Sequence, residues 1–138
     1  MQGEPVRVLF VCVENACRSQ MAEAFARHYG KSRVEAFSAG SRPRGQVDPD
    51  AIAAMQEKGI DLRRHASKAL SDLPDVVWDA VVTMGCDDAC PAVPARKRLD
   101  WQIPDPAHHP LEVYRQVRNV IDSAVKLLVE QLTGVDLP

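Results

Sequence analysis

The strongest constraint on the fold is a change of hydrophobic period inside one short stretch. Residues 6–13, VRVLFVCV, are apolar and β-branched, as a buried strand requires. From Cys17 to Tyr29 the period becomes helical, with Met21, Ala22, Phe25 and Ala26 on one face and Gly30 as the stop. Between the two lies a corner, CVENACRS, too short for anything but a tight strand-to-helix turn.

The alternation recurs along the chain. Val34–Ala39 reads as a second strand, closed by Ala39-Gly40. Asp48-Pro49 opens a helix through Lys58, with Gly59 as its C-terminal stop. Ser71–Asp75 reads as a short helix or turn, and Val76–Met84 as a third strand apolar enough to be central. Arg98–Ile103 reads as a short fourth strand, and the prolines at 104, 106 and 110 keep the next stretch extended or turned. Leu111–Leu132 reads as a closing helix whose core stripe is Val113, Val117, Val120/Ile121, Ala124 and Leu128. This rhythm implies an α/β fold, a parallel sheet with helices on both faces, in one domain spanning residues 1–138.

Composition excludes several classes. A net charge of −2 and a pI near 6.1 give no basic field for nucleic acid, and the small clusters at Arg63-Arg64 and Arg96–Arg98 read as solvated surface. No apolar run reaches the roughly 20 residues that span a bilayer. The start does not resemble a signal peptide, so the chain is expected to be cytoplasmic, without a membrane partner. In a reducing compartment its four cysteines read as catalytic, redox or metal-binding rather than as structural disulfides.

In open parallel sheets, ligands bind beyond the carboxyl ends of the strands. The Cys12 corner, the Gly85–Cys90 loop and the Asp105 loop each follow a strand, so all three are expected at one edge. Five residues separate Cys12 from Arg18, and Ser19 follows. A loop of this length can curl the backbone N–H groups of Val13, Glu14, Asn15, Ala16, Cys17, Arg18 and Ser19 around a tetrahedral oxyanion, aided by the helix N-terminus. Arg18 supplies a fork for two oxyanion oxygens. The same field draws Cys12 toward thiolate, and Ser19 can donate to it. Asn15 tolerates the left-handed backbone that a tight cradle needs. Cys17 is expected to pack as a small side chain without a redox role.

These residues resemble the phosphate loop of low-molecular-weight protein tyrosine phosphatases and of the arsenate reductases built on their fold. The resemblance continues through SAG at Ser38–Gly40, DPDAIAAMQEKGID at Asp48–Asp61, VVTMGCDDACP at Val81–Pro91 and the Asp105-Pro106 pair. It implies a four-stranded parallel sheet, with Cys12 as nucleophile, Arg18 as oxyanion clamp and Asp105 as general acid.

Two readings of activity separate at Cys86 and Cys90. A phosphatase ends its cycle with water and needs no further thiols. A reductase must take two electrons from sulfur. One helical turn brings positions i and i+4 into the Cα window of roughly 4.4–6.8 Å that a disulfide needs, which the 86–90 spacing permits. In the resembling reductases, cysteines here form a relay, which implies reduction of arsenate to arsenite through Cys12, Cys86 and Cys90. Thioredoxin or another small thiol-redox protein is the implied reductant, phosphate the competitor, and the chain is expected to be a monomer without a cofactor. Tyrosine phosphatases of this fold usually carry aromatics after the Asp-Pro pair; here Ala107, His108 and His109 follow.

Zinc held by Cys86, Cys90, His108 and His109 is a weaker reading, because adjacent histidines diverge in an extended segment. A purely binding role would be favoured by loss of Cys12, Arg18 or Asp105, and all are present. The resembling thioredoxin-coupled reductases often hold potassium beside the loop, at positions matched by Asn15, Glu23 and Ser38. Where a further acidic ligand is expected, Lys68 stands. Its ammonium would replace the cation and pair with Glu23, so no potassium dependence is expected.

Overall fold

The computed structural model describes residues 4–85 and 93–137. Four strands, β1 (Val6–Cys12), β2 (Val34–Gly40), β3 (Ala80–Thr83) and β4 (Arg98–Asp100), form one parallel sheet in the order β2-β1-β3-β4. Its α-helices are α1 (Arg18–Gly30), α2 (Pro49–Gln56) and α3 (Leu111–Thr133). Alternate residues of β1 go to opposite faces, as the pleat dictates. Val8, Phe10 and Cys12 join the core shared by the three α-helices, and Leu9 and Val11 join a smaller core with Ala39, Trp78 and Val81. Leu70, at the start of a single 3-10 turn (Leu70–Asp72), packs on that second face. Helical elements therefore flank the sheet on both sides. With β1 central, Cys12 emerges mid-sheet at the carboxyl edge.

Three boundaries and one buried face differ from expectation for identifiable physical reasons. Gly30 lies inside α1 with φ −86°, and Lys31 takes the positive φ of 49° at the helix end. A Cβ on Gly30 would lie 2.4 Å from the Val34 side chain, so the glycine serves close packing rather than the turn. β3 begins at Ala80, not Val76, because Asp79 closes the ladder with its side chain: its carboxylate accepts from the Arg7 N–H while its own N–H donates to Arg7 O. β4 ends at Asp100, because Ile103 N–H turns back onto Trp101 O. Val117, Ile121 and Leu128 of α3 are buried as expected, and Tyr114, Arg118, Val125 and Val129 join them, whereas Val120 is 55% exposed. The stripe takes in two polar residues because they bury their stems and satisfy their ends. Tyr114 Oη donates to Asp48 Oδ2 and Arg118 donates to Ala54 O and Glu57.

α2 starts as expected but ends at Gln56, short of the expected Lys58. Asp48 Oδ1 accepts from Asp50 N, Pro49 opens the helix, and Gly59, with φ +75°, closes it through Gly59 N to Gln56 O and Ile60 N to Met55 O.

Candidate active site

The loop leaving β1 is held by its carbonyls. Val13 O, Glu14 O and Ala16 O accept from the backbone N–H of Arg42, Arg44 and Asp48, each at 2.9 Å. Asn15 O accepts from Gln20 Nε2 and Cys17 O from Met21 N. In a trans peptide the N–H points opposite the C=O, so the amides of residues 14–18 turn to the inside of the loop. Asn15 takes φ +50°, the left-handed step that closes the curl. Gly40 at the end of β2 lies flat against the loop: a Cβ there would sit 2.6 Å from Val13 O and 2.9 Å from Asn15 N.

Cys12 lies at the floor of this curl, with its Sγ 2.8 Å from Ser19 Oγ. Ser19 is oriented in turn by Asn15 Nδ2, also at 2.8 Å. Arg18 is buried, donates to Ile103 O at 3.0 Å and approaches Asp105 Oδ2 at 3.6 Å. The early end of β4 matters here, since the turn at Ile103 presents that carbonyl to the guanidinium. Gly85, with φ +73°, leaves the same guanidinium its space, because a Cβ would lie 2.7 Å from Arg18 Nη1. The Asp105 side chain is 47% exposed, and its Oδ1 accepts from Ala107 N at 3.0 Å. Cys12, Arg18 and Asp105 line a recess of about 10 Å³, with Glu14, Ala16, Cys17, Arg44, Asp48 and Ala107. That is the room of about one water.

Cys17 is buried in the loop, and burial first, then the Asp48 carboxylate, pushes its thiol well above the ordinary value of 9.0. It therefore stays protonated at neutral pH, which suits the packing role. Cys86 and Cys90 lie outside the described residues. The zinc reading needs both; of its histidines, His108 takes φ +67° and His109 Nδ1 lies 3.0 Å from Ala107 O.

Behind the loop sits a buried carboxylate, Glu23. Ser38 Oγ donates to it at 2.5 Å, Arg27 pairs at 3.0 Å, and Lys68 Nζ lies 3.6 Å away. Lys68 thus turns inward, as the sequence suggested, and its backbone N–H donates to Asn15 Oδ1 at 2.7 Å. Sequence reasoning missed Gln20, Gly40, Arg44, Asp48 and His65. Gln20 Nε2 donates to Asn15 Oδ1 and Ala66 O, leaving its Oε1 to accept from His65 Nδ1 at 3.0 Å. His65 therefore carries its proton on Nδ1. Of these, Gly40 and Asp48 had a signal, in the SAG and DPDAIAAMQEKGID motifs.

The low molecular weight phosphotyrosine protein phosphatase family model matches residues 7–135. The chain belongs to this family. Within it, similarity extends to proteins named for arsenate. Glutaredoxin arsenate reductase of Synechocystis sp. is 35% identical over 130 residues, 92% of this chain and 98% of the relative. A solved arsenate reductase in its phosphate-binding state superposes with a TM-score of 0.82 at 35% identity, covering 91% of this chain and 98% of the other. The thioredoxin-dependent arsenate reductase of Corynebacterium glutamicum superposes with a TM-score of 0.77 at 33% identity, over 96% of this chain and 64% of the other.

Proposed function

We propose that this phosphatase-family chain is an arsenate reductase. Cys12 Sγ attacks arsenate held by Arg18 and the inward amides of residues 14–18, and Asp105 protonates the departing oxygen as water. An arsenic–sulfur adduct remains. Cys86 then attacks Cys12 Sγ; the sulfur–arsenic electron pair goes to arsenic, which leaves as arsenite, and the two sulfurs are left as a disulfide. Cys90 attacks Cys86, regenerating Cys12 and moving the disulfide to Cys86–Cys90, where a small dithiol protein reduces it. The roles of Cys86 and Cys90 rest on their spacing and on the resemblance. The cycle fits a cytoplasmic monomer with one domain over residues 1–138. Among the described residues no helix is long and apolar enough to cross a membrane.

One observation carries the reading: a buried sulfur, a buried guanidinium and a half-exposed carboxylate meet at one recess walled by inward amides. The reductases among the similar proteins favour arsenate over phosphomonoesters. So does the recess, which is lined by Arg44, Glu14, Asp48 and Ala107 rather than by aromatic rings.

Single turnover with arsenate and no added reductant tests it. A reductase releases one arsenite per enzyme and leaves a Cys86–Cys90 disulfide on peptide mapping. A phosphatase releases none and hydrolyses p-nitrophenyl phosphate briskly. Cys90→Ser should trap Cys12–Cys86; repeated turnover by that variant would remove Cys90 from the cycle. Regeneration by thioredoxin compared with glutaredoxin and glutathione identifies the reductant.

A further inference from the structure

The segment between β2 and α2, SRPRGQV at Ser41–Val47, is strapped to the anion loop by its backbone. Arg42 N binds Val13 O and Arg44 N binds Glu14 O, which fixes the Arg44 backbone beside the curl. The chain then turns away at Gly45, where φ is +96°. The Arg44 side chain is 39% exposed and lines the recess with Cys12, Arg18 and Asp105.

A fixed negative charge shares that rim. Asp48 is buried, and its carboxylate is held by Tyr114 Oη at 2.5 Å and Asp50 N at 3.0 Å. Left uncompensated, it would repel a dianion entering the recess. Arg44 Nη1 stands 3.9 Å from Asp48 Oδ2 and offsets it. The two guanidiniums at the recess are therefore unlike. Arg18 is buried and already engaged with Ile103 O and Asp105. Arg44 is half in solvent, at a distance from its carboxylate that leaves its fork able to turn to a second acceptor.

We propose that Arg44 is a specificity-determining residue, a second guanidinium that draws small tetrahedral dianions into the mouth and disfavours esters carrying an aryl group. A bound arsenate or phosphate turns its outermost oxygen to the mouth, where Arg44 can donate to it. An aryl ester places an apolar ring there, stripping water from the half-exposed Arg44 without offering it an oxygen acceptor. The inference deepens the arsenate reading, but its binding arm uses inorganic phosphate and needs no turnover.

The test compares Arg44→Gln, Arg44→Lys and Asp48→Asn, with Arg42→Gln as the control for net charge on the same segment. Phosphate binding to the reduced enzyme is measured calorimetrically at low and high ionic strength, beside KM and kcat for arsenate and for p-nitrophenyl phosphate. Arg44→Gln is expected to weaken phosphate and raise the arsenate KM about five- to tenfold, with kcat unchanged and a flatter salt dependence. Its KM for the aryl ester should move less, and Arg44→Lys should recover part of the loss. Asp48→Asn keeps a helix-capping side chain but removes the opposing charge, so it should tighten phosphate. Unchanged phosphate binding in Arg44→Gln, or an equal loss in Arg42→Gln, overturns the proposal. Phosphate effects as expected, with no arsenite formed by the unsubstituted enzyme, would leave Arg44's role standing and sink the arsenate reading instead.

Discussion

Two of the segments that line the recess are anchored in opposite ways. The loop of residues 12–19 has five successive carbonyls tied down, the buried Asn15–Ser19–Cys12 chain along its inner side, and Gly40 pressed flat against it. The Asp105 turn is held only within itself, by Ala107 N to Asp105 Oδ1, His109 N to Pro106 O and His109 Nδ1 with Ala107 O, and by a 3.6 Å approach to Arg18, with the carboxylate half in solvent. If a wall adjusts when a tetrahedral oxyanion enters, it is the less firmly held one. On the proposed mechanism, binding falls to the more firmly held loop and proton delivery to the less firmly held turn.

The largest separation of the two should come from Asp105→Asn. Removing a positioned general acid typically lowers the chemical step by about 10²–10⁴-fold. Its half-exposed pair with Arg18 adds only about 0–1 kcal/mol to stability. Single-turnover arsenite release should therefore slow by at least about 100-fold, with phosphate inhibition and the melting temperature nearly unchanged. If phosphate affinity fell in parallel, the turn would belong to the cradle and the contrast would fail.

Gly40→Ala attacks the other wall. The added methyl meets backbone, not a flexible side-chain end, at 2.6 Å from Val13 O. Overpacking of this kind costs about 1–3 kcal/mol. Phosphate binding should weaken about tenfold or more, because every displaced amide leaves the anion at once. Thermal unfolding and phosphate titration of the same preparation check both effects; unaltered binding would mean the curl adapts and is not preformed.

The same contrast explains what could be read from the sequence. Cys12, Asn15, Arg18 and Ser19 were legible because their chemistry is local: they share one turn, and each residue type suits its place in it. What holds that turn was not legible. Gln20 reaches Ala66 and His65 across about 45 residues, Lys68 reaches Asn15 across 53, and Tyr114 reaches Asp48 across 66. No periodicity records such pairs. The unforeseen polar members of the α3 stripe have the same origin, since Tyr114 and Arg118 look like surface residues until their distant partners are known. β3 was overestimated because Val76 and Val77 have strand propensity, while Asp79, whose carboxylate replaces a ladder contact, has little.

A smaller effect should appear in acid. Burial is the main cause holding the His65 pKa below its ordinary 6.5, with Glu23 opposing and Arg27 and Lys68 reinforcing it. The unfolded chain takes up this proton near 6.5, whereas the fold resists it. Its contribution is thus complete above that pH and is lost as pH falls below it. His65→Gln, which does not titrate, should show a shallower fall of melting temperature below pH 6.5 than the unsubstituted protein. Identical acid limbs would detach His65 from the loop's support.

The smallest expected effect is none at all, and it tests the anchoring where it is densest. Glu23 lies under the loop with a hydroxyl from Ser38 and three basic side chains, Arg27, His65 and Lys68, within 4 Å. Lys68 Nζ also donates to Ala66 O at 2.9 Å, so the ammonium is bound to oxygens much as a small monovalent cation would be. Its main-chain N–H fixes Asn15, so cation and loop anchor belong to one residue. A dissolved potassium ion would have to displace a tethered charge whose local concentration it cannot match. Turnover in potassium and sodium salts at equal ionic strength should agree within error. Lys68→Ala removes the tethered charge but keeps the backbone donor, so a potassium response should emerge in that variant. A severalfold potassium activation of the unsubstituted enzyme would show that Lys68 does not fill the place, and that the loop's underside is less complete than its hydrogen bonds imply.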